Sequence, residues 1–134
     1  MKGLTLTAAA ENMDNVIDFV NGELKLLNCP QKAQRQIDIA VDELFSNIAR
    51  YAYAPDTGVA TVEVEGQSQP PAAIITFTDG GMPYNPLTKK DPRVPPDLDA
   101  AGNYGIYIVK KSMDDFTYEY KDGKNIVKIK KLFN

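Results

Sequence analysis

The chain has 134 residues, a length that fits one ordinary domain able to bury its own core without disulfide or metal staples. Its 43% hydrophobic and 25% charged content is that of a globular protein, and a net charge of −3 gives no general attraction to nucleic acid or anionic lipid. One cysteine and no histidine exclude an internal disulfide, a cysteine-based zinc site, histidine metal sites, Ser-His-Asp or Cys-His catalysis and a phosphohistidine relay on these residues, so any base must be a carboxylate, lysine or tyrosine.

Residues 4–8 alternate briefly and predict an edge strand. Val16, Val20, Leu24 and Leu27 then recur at helical spacing and predict a first amphipathic helix that runs to Asn28. Pro30 suits the first turn of a second helix, whose period continues through Ile37, Val41, Leu44 and Ile48 until Pro55 and Gly58 stop it. Val62 and Val64 alternate with Glu63 and Glu65, as in a strand with one wet face, and residues 73–78 read as a more buried strand. Residues 66–71 join the two as a hairpin-like loop.

Residues 79–102 carry no period and are rich in proline, which predicts a long loop. Ile106, Val109 and Met113 mark a short helix, and residues 116–121 and 126–132 flank an Asp122-Gly123 turn as a terminal hairpin. No repeat or linker divides the chain, so residues 1–134 are expected to form one domain. Two adjacent helices followed by strands in hairpins favour an α+β fold, a two-layer sandwich of a mainly antiparallel mixed sheet with helices on one face. A doubly wound parallel fold is disfavoured, because strands and helices do not alternate regularly. No apolar run approaches the roughly 20 residues that span a bilayer, and residues 1–10 lack a signal peptide's pattern, so a cytoplasmic location is expected.

Three segments carry the chemistry. Glu43 and Asn47, four residues apart on the second helix, project from one face, in a stripe that also holds Ala40, Arg50 and Ala54. Taken singly, such a pair reads as an ordinary solvated stripe. Asp79 ends a buried strand before Gly80 and Gly81, where a carboxylate can accept a hydrogen bond from an exocyclic amine and glycine admits a close neighbour. Its bland reading is a strand-ending turn. Gly102, Asn103, Tyr104 and Gly105 lead into an apolar helical pattern, and a helix start offers free amides to phosphate. A simple flexible helix start is the bland reading, and neither the P-loop nor the dinucleotide fingerprint is present. The lysines of the last third, Lys110 to Lys131, read as a solvated strand face and a charged edge.

In this order and spacing the segments resemble the GHKL ATPase superfamily, and within it the bacterial anti-sigma factor serine kinases, over nearly the whole chain. Residues 39–47 look like the family's N box, residues 79–86 like its first glycine box and residues 102–109 like its second. The resemblance implies a Bergerat-type site for ATP or ADP. Asn47 would coordinate magnesium and Glu43 would act as general base toward water or a serine hydroxyl. Asp79 would recognise the adenine amino group, Gly81 would leave room for the base, and Gly102, Asn103 and Gly105 would face phosphate, with residues 85–101 as the ATP lid. Pro83, Tyr84, Asn85 and Pro86 match the anti-sigma branch better than histidine kinases. Asn103 stands where glycine is common, and Asn125 is the candidate substitute for a threonine usual before the last strand.

The function this implies is an ATP-dependent serine/threonine kinase that acts on a small anti-sigma antagonist and binds a sigma factor, with a homodimer as a further expectation. Two alternatives remain beside it: a nucleotide-gated protein-binding module without kinase activity, and a detached histidine-kinase-type ATPase domain. Neither nucleic acid nor membrane is an expected partner.

Overall fold

The computed structural model describes residues 2–88 and 100–134 and, for residues 88 and 100–104, the backbone alone. Strand β1 (Lys2–Thr7) leads through a short 3-10 turn into helices α1 (Met13–Leu26) and α2 (Gln31–Asn47). A π-helical segment, Ile48–Ala52, follows α2 without a break. Strands β2 (Val59–Ser68) and β3 (Pro71–Asp79) form a hairpin, and α3 (Ala100–Ser112) precedes the β4 (Asp115–Lys121) and β5 (Lys124–Leu132) hairpin. The sheet order is β1-β2-β3-β5-β4.

All four pairings are antiparallel. The expected α+β sandwich is therefore observed, and the mixed character expected of its sheet is absent among the described strands. Other boundaries also differ from the sequence reading. Strands β2 and β3 extend through Ser68 and from Pro71, which narrows the loop expected at residues 66–71 to a turn at Gln69 and Pro70, because the backbone ladder continues past Gly66. The second helix does not stay α-helical to Pro55 but widens into the π segment after Asn47. The expected loop of residues 79–102 contains a 3-10 turn, Pro86–Thr88, and the start of α3. The rest of the predicted lid, residues 89–99, lies outside the described residues.

Cross-strand register explains where the core lies. Val62, Phe77 and Val127 form one inward row, and Val64, Ile75 and Ile129 form the next. Both rows are buried. The opposite face shows Thr61, Glu63, Thr76, Thr78 and Lys128, the polar half of the period-two alternation. Onto the apolar face α1 lays Val16, Val20 and Leu24, and α2 lays Ile37, Val41, Leu44 and Phe45. These spacings of three and four residues are one helical stripe.

One further inward row is polar. Ala60, Asp79 and Asn125 follow the Val62 row toward the end of the sheet, and Asp79 and Asn125 are buried. Asn47 occupies the corresponding place on α2, one turn beyond Leu44 in the buried stripe. The apolar core thus ends in three polar side chains.

At the junction of α1 and α2, burial pushes the Asp38 carboxyl above the ordinary carboxylate range, against a hydrogen bond from Asn21 that pulls it down. Burial, with the Asp38 charge nearby, also pushes the Cys29 thiol up. A raised acid in the fold means that the neutral form is favoured there, and the stability this gives at low pH is lost as pH rises through the folded value. Asp38→Asn should therefore raise the melting temperature near pH 7, with the gain shrinking as pH falls into the carboxylate range. Melts of both proteins from pH 3 to pH 7 test this. Truncating the fully buried Phe45 to alanine should cost about 3–5 kcal/mol in urea unfolding.

Candidate functional site

The polar row borders a pocket lined by Leu44, Asn47, Ile48, Ala52, Asp79, Tyr84, Pro86, Asn125 and Val127. It holds about 350 Å³ of empty space, counting its open mouth. Helix, π segment, β3, β5 and the segment after β3 each contribute a wall, so the site exists only in the assembled fold.

Asn47 is 3% exposed, and its Oδ1 and Nδ2 have no hydrogen-bond partner among the described residues. A buried amide left without partners costs about 1–3 kcal/mol per group, so the fold retains a liability at one point of an otherwise apolar stripe. An unpaired amide oxygen in a pocket wall suits a hard cation that takes its other oxygens from phosphate and water.

Asp79 is anchored by one oxygen. Its Oδ1 accepts hydrogen bonds from Gly81 N at 2.9 Å and Asn125 Nδ2 at 2.9 Å. Among the described residues no hydrogen bond reaches Oδ2. Around it Asn125 also donates to Met82 O at 2.8 Å and accepts from Tyr84 N at 3.1 Å and from the Tyr118 hydroxyl at 2.5 Å. Asn125 is thus a central residue of the site, one that the sequence reading treats only as a stand-in for threonine. Its importance follows from register, because it lies directly opposite Asp79.

The π segment seats the first glycine box. Met82 N donates to Ala52 O at 2.9 Å, and a Cβ at Gly81 would strike the same carbonyl. Gly81 therefore permits close approach of backbone to backbone. Tyr53 completes the seat, donating to Val59 O at 2.6 Å while accepting from Gly80 N at 2.7 Å. Tyr51 and Tyr84 stack with centroids 5.2 Å apart beside the mouth. π-helical turns recur at functional sites, where they redirect carbonyls that a regular helix would consume.

Glu43 and Asn47 do not share one environment. Asn47 faces the pocket, whereas the half-buried Glu43 lies against α3, where a Cβ on Gly105 would land on its carboxylate. Of the rest of the expected stripe, Ala40 is buried, Arg50 is exposed, and Ala54 lies beyond the helix. The second glycine box also differs from expectation. Helix α3 starts at Ala100, so Gly102 and Asn103 fall in its first turn and Gly105 in its second. Ala100 and Ala101 are strong helix formers and extend the helix before the glycines. The amides left free at the helix start are those of Ala100 to Asn103, while that of Gly105 belongs to the helical ladder. Lys110 Nζ ties α3 to the 3-10 turn through Leu87 O at 3.0 Å.

Residues 6–131 match the family model described as histidine kinase-like ATPase domain. The chain belongs to the histidine kinase-like ATPase family. This is the GHKL superfamily that the three sequence segments resemble, and membership supports ATP binding. Among solved structures, the chain is similar to the Acinetobacter baumannii histidine kinase AdeS, with 15% identity and a TM-score of 0.54, covering 100% of this chain and 70% of that one. At that identity the likeness concerns the fold. No curated protein matches the sequence. Among the described residues of this ATPase domain, no helix is long and apolar enough to cross a membrane.

The two glycine contacts differ in what a methyl group would meet, rigid backbone at Gly81 and the end of a side chain at Gly105. Gly81→Ala should destabilise the ATPase domain by about 1–3 kcal/mol. Gly105→Ala, which adds helix propensity and can be accommodated by moving Glu43, should stay within about 1 kcal/mol of wild type. Urea denaturation of the two variants side by side checks the contrast.

Proposed function

We propose that the pocket binds magnesium-ATP and that the chain transfers the γ-phosphoryl group to a serine or threonine of a small anti-sigma antagonist, and also binds a sigma factor. The observation that carries the nucleotide part is Asn47, a buried amide whose polar atoms have no partner among the described residues, in a pocket wall it shares with Asp79. Magnesium, once bound, would neutralise phosphate charge, and Asn47 is the residue that would hold it.

The chain's own groups divide the remaining work. Asp79 Oδ2, which receives no hydrogen bond among the described residues, is the acceptor for an exocyclic amine, and the apolar walls at Leu44, Ile48 and Val127 suit the faces of a base. The amides of Ala100 to Asn103 and the positive end of α3 suit phosphate. Glu43 is the carboxylate available to take the proton of an acceptor hydroxyl. It lies one turn before Asn47 and beside α3, on the side from which phosphate would be approached. The chain has no histidine among its 134 residues, and the acceptor in this reading is a hydroxyl on a partner.

A second reading has a specific basis in the comparisons, since both the family description and the similar structure name histidine kinases. In it the chain serves a phosphoacceptor histidine carried by another protein. A pull-down with ATP or ADP followed by phosphosite mapping separates the two by the acceptor residue found. Phosphorylated serine or threonine on the captured partner supports the first reading, and acid-labile phosphohistidine supports the second.

For either acceptor, Glu43→Gln should lower the transfer rate by at least about 10²-fold while leaving the ADP dissociation constant within about threefold of wild type. Single-turnover transfer with radiolabelled ATP, alongside calorimetric ADP binding, measures both. A variant that transfers at the wild-type rate would remove Glu43 from its role.

A further inference from the structure

Tyr53 belongs to none of the three sequence segments and does not line the pocket, yet its hydroxyl joins two elements on which the site depends. It donates to Val59 O at 2.6 Å and accepts from Gly80 N at 2.7 Å. Donor and acceptor are assigned by the chemistry, because an amide N–H can only donate and the hydroxyl has a single proton to give. The ring is held as well. A Cβ on Gly58 would land on it, and Gly58 O accepts from Ala8 N, just past β1, at 2.8 Å.

These contacts set a distance. Asn47 ends α2, and the π segment carries the chain from it to Tyr53. Gly80 follows Asp79, the last residue of β3. The hydroxyl therefore ties the helix end that bears Asn47 to the turn after Asp79 and roots both on the first carbonyl of β2. Met82 N makes a second tie farther along the turn, to Ala52 O at 2.9 Å. Gly80 and Val59 are both exposed, so water can take over both bonds when the hydroxyl is removed. The fold does not need the hydroxyl, whereas the spacing between the two ends does.

We infer that Tyr53 is a positioning residue that holds Asn47 and the strand-ending turn at a fixed separation, so that the magnesium end and the nucleoside end of one ligand bind as a chelate. The inference rests on the magnesium-nucleotide reading above. A ligand held at two points gains from the second only as far as the first has placed it, and that effective concentration falls as the separation becomes variable. Loss of the hydroxyl leaves the Asn47 side chain in place, along with the bonds from Gly81 N and Asn125 Nδ2 to Asp79. Each end keeps its own affinity, and the advantage of joining them shrinks.

The test measures ADP binding by calorimetry, with magnesium and with EDTA, on wild type and Tyr53→Phe. In wild type, magnesium should tighten ADP binding by about tenfold or more. Tyr53→Phe should bind ADP in EDTA within about twofold of wild type, while the gain from magnesium falls to about threefold or less. The Gly80 amide proton, followed by NMR in both proteins, should move upfield in the variant as the hydroxyl acceptor gives way to water. A merely structural role would weaken binding equally with and without magnesium, and that result overturns the inference. So does an undiminished magnesium gain in folded Tyr53→Phe, or an unmoved Gly80 resonance. Gly58→Ala keeps the hydroxyl but displaces the ring, and it should lower the magnesium gain in the same way. It decides the matter should Tyr53→Phe fail to fold, as judged by circular dichroism, and a full gain in folded Gly58→Ala then overturns the inference. A wild type that binds ADP with no gain from magnesium overturns the tie while sparing nucleotide binding, and one that does not bind ADP overturns the underlying reading as well.

Discussion

The binding end of this protein depends on a carboxylate that the fold buries and holds by one oxygen. Asp79 stands in the inward row that follows two rows of valine, phenylalanine and isoleucine, where an unassisted charge would be costly. The Gly81 amide and the Asn125 side chain offset that cost with two hydrogen bonds. Those same bonds close the chain back on itself after β3, which brings Met82 to the Ala52 carbonyl and Tyr84 to Asn125. The pocket wall, the π segment and the glycine turn are thus parts of one hydrogen-bonded assembly.

Asn47 has the opposite character. Where Asp79 is supplied with partners, Asn47 is denied them among the described residues, although leucine at that point of the stripe would extend the contacts of Leu44 and Ile48. Native folds satisfy nearly all buried polar groups. In a pocket wall, such a group is placed where a bound ligand can supply a partner, and binding there would add to the stability of the fold.

Much of this was legible in the sequence, because both helices and all five strands have apolar patterns of the right period. Asn47 and Asp79 were singled out through spacing and turn chemistry, and both line one pocket. Asn125 was not, since an asparagine in a lysine-rich strand gains meaning only when pairing sets it opposite Asp79. Nor was the π segment, whose residues Ile48 to Ala52 carry the same helical propensities as the turns before them and widen to meet the glycine turn. The start of α3 was misjudged because glycines suggest an end, while in this helix Gly105 lies within and serves to admit Glu43. The extension of the β2–β3 ladder to Ser68 and Pro71 was hidden by side chains that carry no alternation.

The contact of Glu43 with Gly105 has a mechanical side. Two helices usually keep their distance through interdigitated side chains, but at this point the spacer is a single carboxylate resting on bare backbone. The same helix α3 carries the turn proposed to face phosphate at its front and is tethered to the 3-10 turn after β3 through Lys110. Any displacement of its front end is therefore transmitted as a change in the room that Glu43 occupies, so the roles proposed for Glu43 and for the start of α3 would share one degree of freedom.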